Sequence, residues 1–214
     1  MRHFVKGAAP ASFDDWKAGA NDAWQPSYGG LQNPQKRHLH QALLDEQGKL
    51  CCYCGRAVTL ADSHIEHFRP QEQRGDLALD FQNLFASCIR ETKPGAPLHC
   101  GHAKGHDFNE TLHVSPLDPT CEHRFTYTLD GAILPRDAGA TYMVSLLKLD
   151  IEFLRHRRGE ALASVFDAAF IASVTDDELR QLAQAYRGPD STGTPASFGH
   201  VLARFAEQML EGAA

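Results

Sequence analysis

Cysteine and histidine are concentrated in the middle of the chain. All six cysteines lie between Cys51 and Cys121, and most of the twelve histidines lie between His64 and His123. Thiolate and imidazole groups are the usual protein ligands of zinc and other transition metals. The first residues, MRHFVKGAAPASFDD, lack the apolar core of a signal peptide, and no apolar run is long enough to predict a membrane span. We therefore expect a cytoplasmic protein whose clustered thiols bind metal and do not form disulfides.

Four of the cysteines are candidates for one zinc site. Cys51 and Cys54 form a Cys-x-x-Cys pair in KLCCYCG, in which two thiolates grip one ion. Cys88 and Cys100 would supply the second pair, although their separation is longer than usual. Four thiolates around zinc form a closed structural site that contributes folding energy. The alternatives are that these residues are small buried apolar side chains, or that Cys121 replaces one of the four.

The segment SHIEHFRP places a carboxylate between two histidines. In a strand, His64 and Glu66 would share one face and His67 would point to the other. Hydrolysis of a phosphodiester needs a base that deprotonates water, which a histidine provides, and a divalent ion near the phosphate, which a carboxylate holds. A Glu-His pair is common at protein surfaces and is weak evidence for a catalytic site by itself, so the neighbouring motifs must be considered with it.

The order of motifs between Cys51 and Gly105 resembles the signature of HNH endonucleases. The Cys-x-x-Cys pair is followed by EHFRP, then by an Asn-Leu pair, and then by two further cysteines, the second of them in CGHAKG. The resemblance implies a ββα-metal (HNH, His-Me finger) unit stapled by zinc. A nuclease of this type hydrolyses phosphodiester bonds.

Longer segments resemble one family of HNH proteins. GKLCCYCGR, SHIEHFRPQ, NLFASC and LHVSPLDPTCEHRFTYTLDGAI are similar to PtuB, found in Septu anti-phage systems and beside retrons, and MRHFVKG and LLKLDIEFLRHRR extend the similarity over most of the chain. In that family the nuclease is encoded with an ATPase, PtuA. The resemblance implies a DNA-cutting effector of antiviral defence with an ABC/SMC-like, PtuA-like ATPase as its partner.

The resemblance also implies roles for three residues. Glu66 would be a ligand of the catalytic divalent metal, Mg²⁺ or Mn²⁺. His67 would be the general base. Asn83 would be the middle asparagine of the motif, which holds the loop that orients His67.

The last position of the HNH signature is where this sequence departs from the pattern. The asparagine or histidine expected after the second cysteine is Gly101. A catalytic metal ligand must then come from elsewhere, and His102 is the first choice and His106 the second. His64 lines the site as a further candidate ligand. Lys104 either contacts phosphate or is a solvated lysine in a turn.

The charge balance argues against tight DNA binding by this chain alone. The formal net charge is -6, whereas neutralising phosphates requires clustered lysine and arginine. The dense basic cluster RHRR at 155–158 is more typical of a solvated helix surface than of a DNA or partner contact. We expect the helical region after residue 138 to dock on the ATPase, which would engage the DNA. The apolar stripe of Leu146, Leu149 and Leu154 favours plain core, so this expectation does not depend on it.

The periodicity of the sequence predicts an α+β fold in which a small zinc-stapled unit is embedded in a mainly helical protein. Residues 1–48 would form an N-terminal helical segment. Residues 49–135 would form the zinc-stapled nuclease core with a following hairpin, and residues 136–214 a C-terminal helical region.

Several elements within these parts are predicted individually. Leucines on one face predict a helix over 36–47. An Asp-Gly turn at 130–131, between alternating apolar residues, predicts a β-hairpin. The segment that follows predicts two helices or one helix broken near Asp150, and Thr175 begins a capping box with Glu178.

Two other functions stay open at this point. A zinc-stapled binding module with decayed catalytic positions is favoured by Gly101 and disfavoured by the presence of both Glu66 and His67. An RNA-cutting HNH-type toxin would use the same chemistry, but the sequence has neither an aromatic stacking motif nor a basic groove.

Overall fold

The computed structural model describes residues 1–191 and 193–212. Within them, helices surround two small antiparallel sheets, which confirms the predicted mixture of helix and small sheet. The helices are α1 (Ala11–Ala18), α2 (Gln35–Glu46), α3 (Gly101–Lys104), α4 (Ala138–Leu146), α5 (Glu152–Ala163), α6 (Ala168–Ser173), α7 (Asp176–Arg187) and α8 (Gly199–Gly212). The strands are β1 (Ser63–His67), β2 (Leu84–Cys88), β3 (Phe125–Tyr127) and β4 (Ile133–Pro135).

The first sheet pairs β1 with β2. The register runs from Ser63 opposite Cys88 to His67 opposite Leu84, and every residue of β2 is buried. Helix α2, which confirms the helix predicted over 36–47, packs on both strands and buries its leucines. This packing fixes the two strands whose ends carry the cysteine and histidine motifs.

The second sheet is the hairpin of β3 and β4, predicted from the Asp-Gly turn. Gly131 has a φ of 85°, and a Cβ at this position would clash with the carbonyl oxygen of Arg155 in α5. Glycine is therefore required by the left-handed turn and by the close approach of α5.

The C-terminal region is helical, as predicted, and is divided more finely than predicted. The chain breaks near Asp150, between α4 and α5, and breaks again before α6, where the Asp167 side chain accepts a hydrogen bond from the backbone N–H of Phe170. The capping box at Thr175 is present. Of the apolar stripe, Leu149 and Leu154 are buried core and Leu146 is half-buried. Of this region, residue 192 and the last two residues lie outside the described residues.

The sequence did not predict α1. Phe13 is its only buried residue, so the helix has no apolar periodicity to reveal it. No helix in the described part of the chain is both long enough and apolar enough to cross a membrane.

Candidate active site and metal centre

The four predicted zinc ligands lie together. The sulfur atoms of Cys51, Cys54, Cys88 and Cys100 all lie within 4.8 Å of one another, and all four residues are buried. The sulfurs of Cys54 and Cys88 are 3.8 Å apart. That is too long for a disulfide, but equals the edge of about 3.8 Å expected for a tetrahedron with Zn–S distances of about 2.3 Å. The cluster therefore has the donor set and the dimensions that zinc requires.

The local folds around the cysteines explain this convergence. The backbone N–H of Gly55, which has a φ of 74°, donates to the carbonyl of Cys51 and closes the turn that contains the Cys-x-x-Cys pair. Cys88 ends β2, and its N–H donates to the sulfur of Cys51 at 3.3 Å. Burial raises the pKa of the Cys100 thiol, so ionising all four cysteines requires the compensating charge of a cation.

Cys121 lies outside this cluster within the described residues. Burial, together with nearby carboxylates, raises its pKa to about 12, which keeps it a neutral thiol. The geometry therefore favours the four predicted cysteines over the alternative in which Cys121 replaces one of them.

The Glu66 carboxylate lies beside the cysteine cluster with its two oxygens in different surroundings. Oε1 accepts a hydrogen bond from the Tyr53 hydroxyl at 2.9 Å and lies 2.9 Å from the Lys104 ammonium. Oε2 lies 3.4 Å from Nε2 of His64. Burial would raise the pKa of Glu66, but the hydrogen bond from His64 and the charge of Lys104 hold it below its ordinary value. Glu66 is therefore a carboxylate with one oxygen occupied by protein and the other turned towards a histidine.

Gly101 leaves a space next to that second oxygen. A Cβ at position 101 would lie 2.5 Å from Oε2 of Glu66 and 2.7 Å from Nε2 of His64. The backbone N–H of Gly101 donates to the Ser87 hydroxyl, which holds α3 against β2. The residue that breaks the HNH signature is thus the one that leaves room between a carboxylate oxygen and an imidazole nitrogen.

The carbonyl of Ile89 orients two histidines at this space. It accepts from Nδ1 of His64 at 2.6 Å and from Nε2 of His102 at 3.0 Å, and the two rings lie 4.6 Å apart. A carbonyl only accepts, so these nitrogens carry the protons, and Nε2 of His64 faces Glu66. Burial lowers the pKa of His64, but the hydrogen bond with Glu66 raises it above its ordinary value, so Nε2 binds either a proton or a metal ion. A carboxylate oxygen and an imidazole nitrogen that face each other suit a divalent cation that takes the place of the proton between them.

His67 points to the other face of β1, as the alternation predicted. Its ring packs edge-on against Tyr28 at 4.4 Å, and its Nε2 donates to the carbonyl of Ala78 at 3.1 Å. Nδ1 is then the nitrogen with the free lone pair. Burial lowers the pKa of His67, which keeps the ring neutral and able to accept a proton near pH 7.

Asn83 ties together the loop that reaches His67. Its side-chain amide donates to the carbonyls of Arg69 and Leu77, and its carbonyl oxygen accepts from the N–H of Arg69 at 2.7 Å. Leu77 directly precedes Ala78, whose carbonyl contacts the His67 ring. Asn83 is therefore placed to fix the orientation of that ring.

Two other residues occupy positions that the sequence did not predict. Lys104 is not solvated, because it is 2% exposed, and its ammonium also donates to the backbone carbonyls of His67 and Phe68. His106 is exposed and pairs with Glu72 at 3.4 Å, and no hydrogen bond or ion pair in the described part of the chain joins it to Glu66.

The basic cluster 155–158 is divided between surface and core. Arg155 pairs with Asp130, and Arg157 is exposed beside Glu160. Arg158, expected at the surface, is instead buried and donates to the carbonyls of Gly131 and Leu149. Its role is to pin the β3–β4 hairpin to the helices.

One relative of known name resembles part of the chain. Over 104 residues the chain is 30% identical to a protein of Vibrio cholerae serotype O1 biovar El Tor named "Retron Vc95 putative HNH endonuclease". The match covers 47% of this chain and 48% of that protein, so the chain spans about half the length of the curated relative it matches. No protein-family model matches the chain. This relative supports the resemblance to HNH endonucleases.

Proposed function

We propose that this protein is a metal-dependent HNH endonuclease that hydrolyses DNA phosphodiester bonds, with β1, β2 and α3 as its ββα-metal unit. The observation that carries the proposal is that a candidate base and a candidate metal ligand occupy consecutive residues of β1. The free Nδ1 of His67 is the base, and Oε2 of Glu66, on the next residue, faces the space beside Gly101. The relative named as an HNH endonuclease supports the same chemistry.

His67 takes the proton from the attacking water at Nδ1. The carbonyl of Ala78 holds the opposite nitrogen at 3.1 Å and stabilises the imidazolium that forms. Asn83 is a positioning residue, because it fixes the loop that carries Ala78 without touching the reacting atoms. Lys104 fixes the backbone carbonyl of His67 and one oxygen of Glu66.

The catalytic divalent metal, Mg²⁺ or Mn²⁺, would be held by Glu66 through Oε2 and by His64 through Nε2. His102 is next to His64 and offers Nδ1, because its Nε2 is bonded to Ile89. Among the candidate metal ligands we therefore propose His64 first and His102 second, and we do not include His106, which lies at the surface. A bound divalent ion supplies charge stabilisation to the phosphate and its leaving oxygen.

Zinc at the four cysteines has a structural role in this proposal. All four cysteine side chains are at most 5% exposed, so the site offers no open coordination position for substrate. The ion would join the turn at Cys51 to β2 and to the start of α3, which positions Gly101 beside Glu66.

The biological role that fits best is the nuclease effector of a Septu-type or retron-associated anti-phage system, acting with a PtuA-like ATPase. The resemblance to PtuB and the retron relative support this role, and the acidic net charge favours a partner that engages DNA. Co-purification with the ATPase and a phage-protection assay test it. Full protection against phage by this chain alone would contradict the proposal that it needs an ATPase partner.

The proposed chemistry is tested by incubating purified protein with supercoiled plasmid, linear duplex DNA and single-stranded RNA, each with Mg²⁺, Mn²⁺ or chelator. We expect metal-dependent cutting of DNA. Cutting of RNA alone would favour the toxin, and zinc-loaded protein that cuts no substrate would favour the decayed binding module.

A further inference from the structure

A cleft of about 620 Å³ opens beside the candidate active site. It lies between the start of α2, the segment before β1 and Arg90, two residues after the end of β2. Tyr28 and His64 line it, and these two residues also contact His67 and Glu66, respectively. The cleft is therefore continuous with the site proposed to cut the phosphodiester.

Three cations line this cleft: Lys36, Arg37 and Arg90. All three are exposed, and its described lining contains no aspartate or glutamate. Elsewhere in the described residues, most lysines and arginines pair with a carboxylate, as Arg69 does with Glu110. No such ion pair is formed by the three cleft cations in the part of the chain that the structure describes. In an acidic protein, this local excess of unneutralised positive charge suits a polyanion.

Two of the cations, Arg90 and Lys36, are positioned by uncharged groups, so their positive charges are not neutralised and can interact with a ligand. Arg90 donates one guanidinium N–H to the carbonyl of Leu60 at 2.7 Å, which positions the group and leaves its other N–H donors for a ligand. The Lys36 ammonium lies 5.0 Å from the centre of the Tyr28 ring, which also packs against the His67 ring. Lys36, Tyr28 and His67 thus form a continuous path from the cleft to the base.

We propose that this cleft binds the DNA backbone next to the scissile phosphate, with Lys36, Arg37 and Arg90 as the phosphate contacts. The assignment of DNA as the ligand rests on the proposed function, whereas the site itself rests on the cations and their position. Such a groove was not visible in the sequence, because its cations come from two segments more than fifty residues apart.

The physical consequence is a small electrostatic contact. Three phosphate contacts give a slope of about -2.7 in the logarithm of the binding constant against the logarithm of salt concentration. This is compatible with a net charge of -6, because the interaction needs local and not overall positive charge. The contact would also fix the position of the DNA strand relative to the active site, since phosphate contacts position a strand without reading its sequence.

The test compares two triple variants in a His67→Ala background, so that DNA is bound and not cut. One removes the cleft cations (Lys36→Ala, Arg37→Ala, Arg90→Ala). The matched control removes three exposed arginines elsewhere (Arg136→Ala, Arg157→Ala, Arg180→Ala), so both lose the same formal charge. Binding of a fluorescent duplex is measured by anisotropy over a range of salt concentrations, and melting temperatures confirm folding.

The cleft variant should lose on the order of 30-fold or more in affinity at low salt, and its salt slope should fall by about 2 to 3. The control should change affinity by less than about threefold and keep the slope. Equal losses in both variants, or binding by the parent no tighter than by the cleft variant, would overturn the proposal.

The same proteins separate this proposal from the proposed function. If wild-type protein cuts DNA but the two triple variants bind DNA equally well, the DNA-binding role of the cleft is refuted and the proposed nuclease activity stands. If DNA binding depends on the cleft cations but wild-type protein cuts no DNA with any divalent metal, the DNA-binding role of the cleft is supported and the proposed nuclease activity is refuted.

Discussion

Gly101 and Glu66 are in such close contact that no side chain fits between them: a Cβ at Gly101 would lie 2.5 Å from Oε2 of Glu66. This relationship gives a structural reason for Gly101, the residue at which the sequence departs from the HNH signature. The glycine follows from the packing of α3 against β1. In the proposed metal site, the imidazole of His64 would supply the ligand that an asparagine supplies at this position of the signature. The departure is therefore compatible with an intact metal site.

Gly101→Asn restores the HNH signature and should nevertheless reduce cleavage, by on the order of 10- to 100-fold, because the new side chain displaces Glu66 and His64. Single-turnover cleavage with saturating Mg²⁺ or Mn²⁺ measures the effect. Gly75→Ala is the matched control, because a Cβ there meets nothing within 4 Å. Cleavage by Gly101→Asn at the wild-type rate or faster would count against the arrangement described here.

Cys51→Ser should release zinc and lower the free energy of unfolding by several kcal/mol, because a structural zinc site contributes directly to folding. Metal analysis and chemical denaturation measure the two effects. The control is Cys121→Ser, a buried cysteine outside the cluster, which should keep one equivalent of zinc. Wild-type protein with less than about half an equivalent of zinc after careful purification would rule out the structural zinc.

Two histidines, the buried His40 and the half-buried His113, should make the fold sensitive to acid. Burial lowers the pKa of His40 and of His113 to about 4, below the ordinary value of about 6.5 that both regain in the unfolded chain. Stability from these neutral histidines is therefore fully present above pH 6.5 and is lost as the pH falls towards 4. At pH 5 each should cost on the order of 1–2 kcal/mol.

The measurement is the melting temperature between pH 7.5 and pH 5. Wild-type protein should lose more than His40→Asn/His113→Asn over this range, and both keep the cysteines, so acid release of zinc affects them alike. His156→Asn, at an exposed position, should follow the wild type. Parallel curves for the double variant and the wild type would show that the two histidines do not titrate as described.

The features that were predictable from sequence are those with local signals. The apolar face of α2, the Asp-Gly turn of the hairpin and the alternation of β1 each lie within a few residues, and each is present. The Cys-x-x-Cys pair was recognisable for the same reason, and Cys88 and Cys100 were predicted as the second pair of thiolates although their separation is longer than usual.

The features that were missed depend on contacts between distant, irregular segments. The carbonyl of Ala78 orients His67, the Tyr53 hydroxyl holds Glu66, and the carbonyl of Ile89 orients His64, yet no periodicity marks any of these three contacts. The burial of Lys104 was not predictable because a lysine in a Gly-rich turn is ordinarily exposed, whereas here its ammonium is compensated by Glu66 and backbone carbonyls. Tyr53, inside the CCYC turn, was the one missed residue whose position in a motif offered a signal.

The central claim, that His67 is the base of a metal-dependent nuclease, is tested most directly by the single-turnover rate of DNA cleavage by His67→Ala. The rate should fall roughly 10²–10⁴-fold relative to wild type, as expected for loss of a general base. The melting temperature and the zinc content should stay unchanged, and His156→Ala should cut at the wild-type rate. If folded, zinc-loaded His67→Ala cuts DNA within about threefold of the wild-type rate under Mg²⁺ and Mn²⁺, His67 is not the base and the proposed active site is wrong.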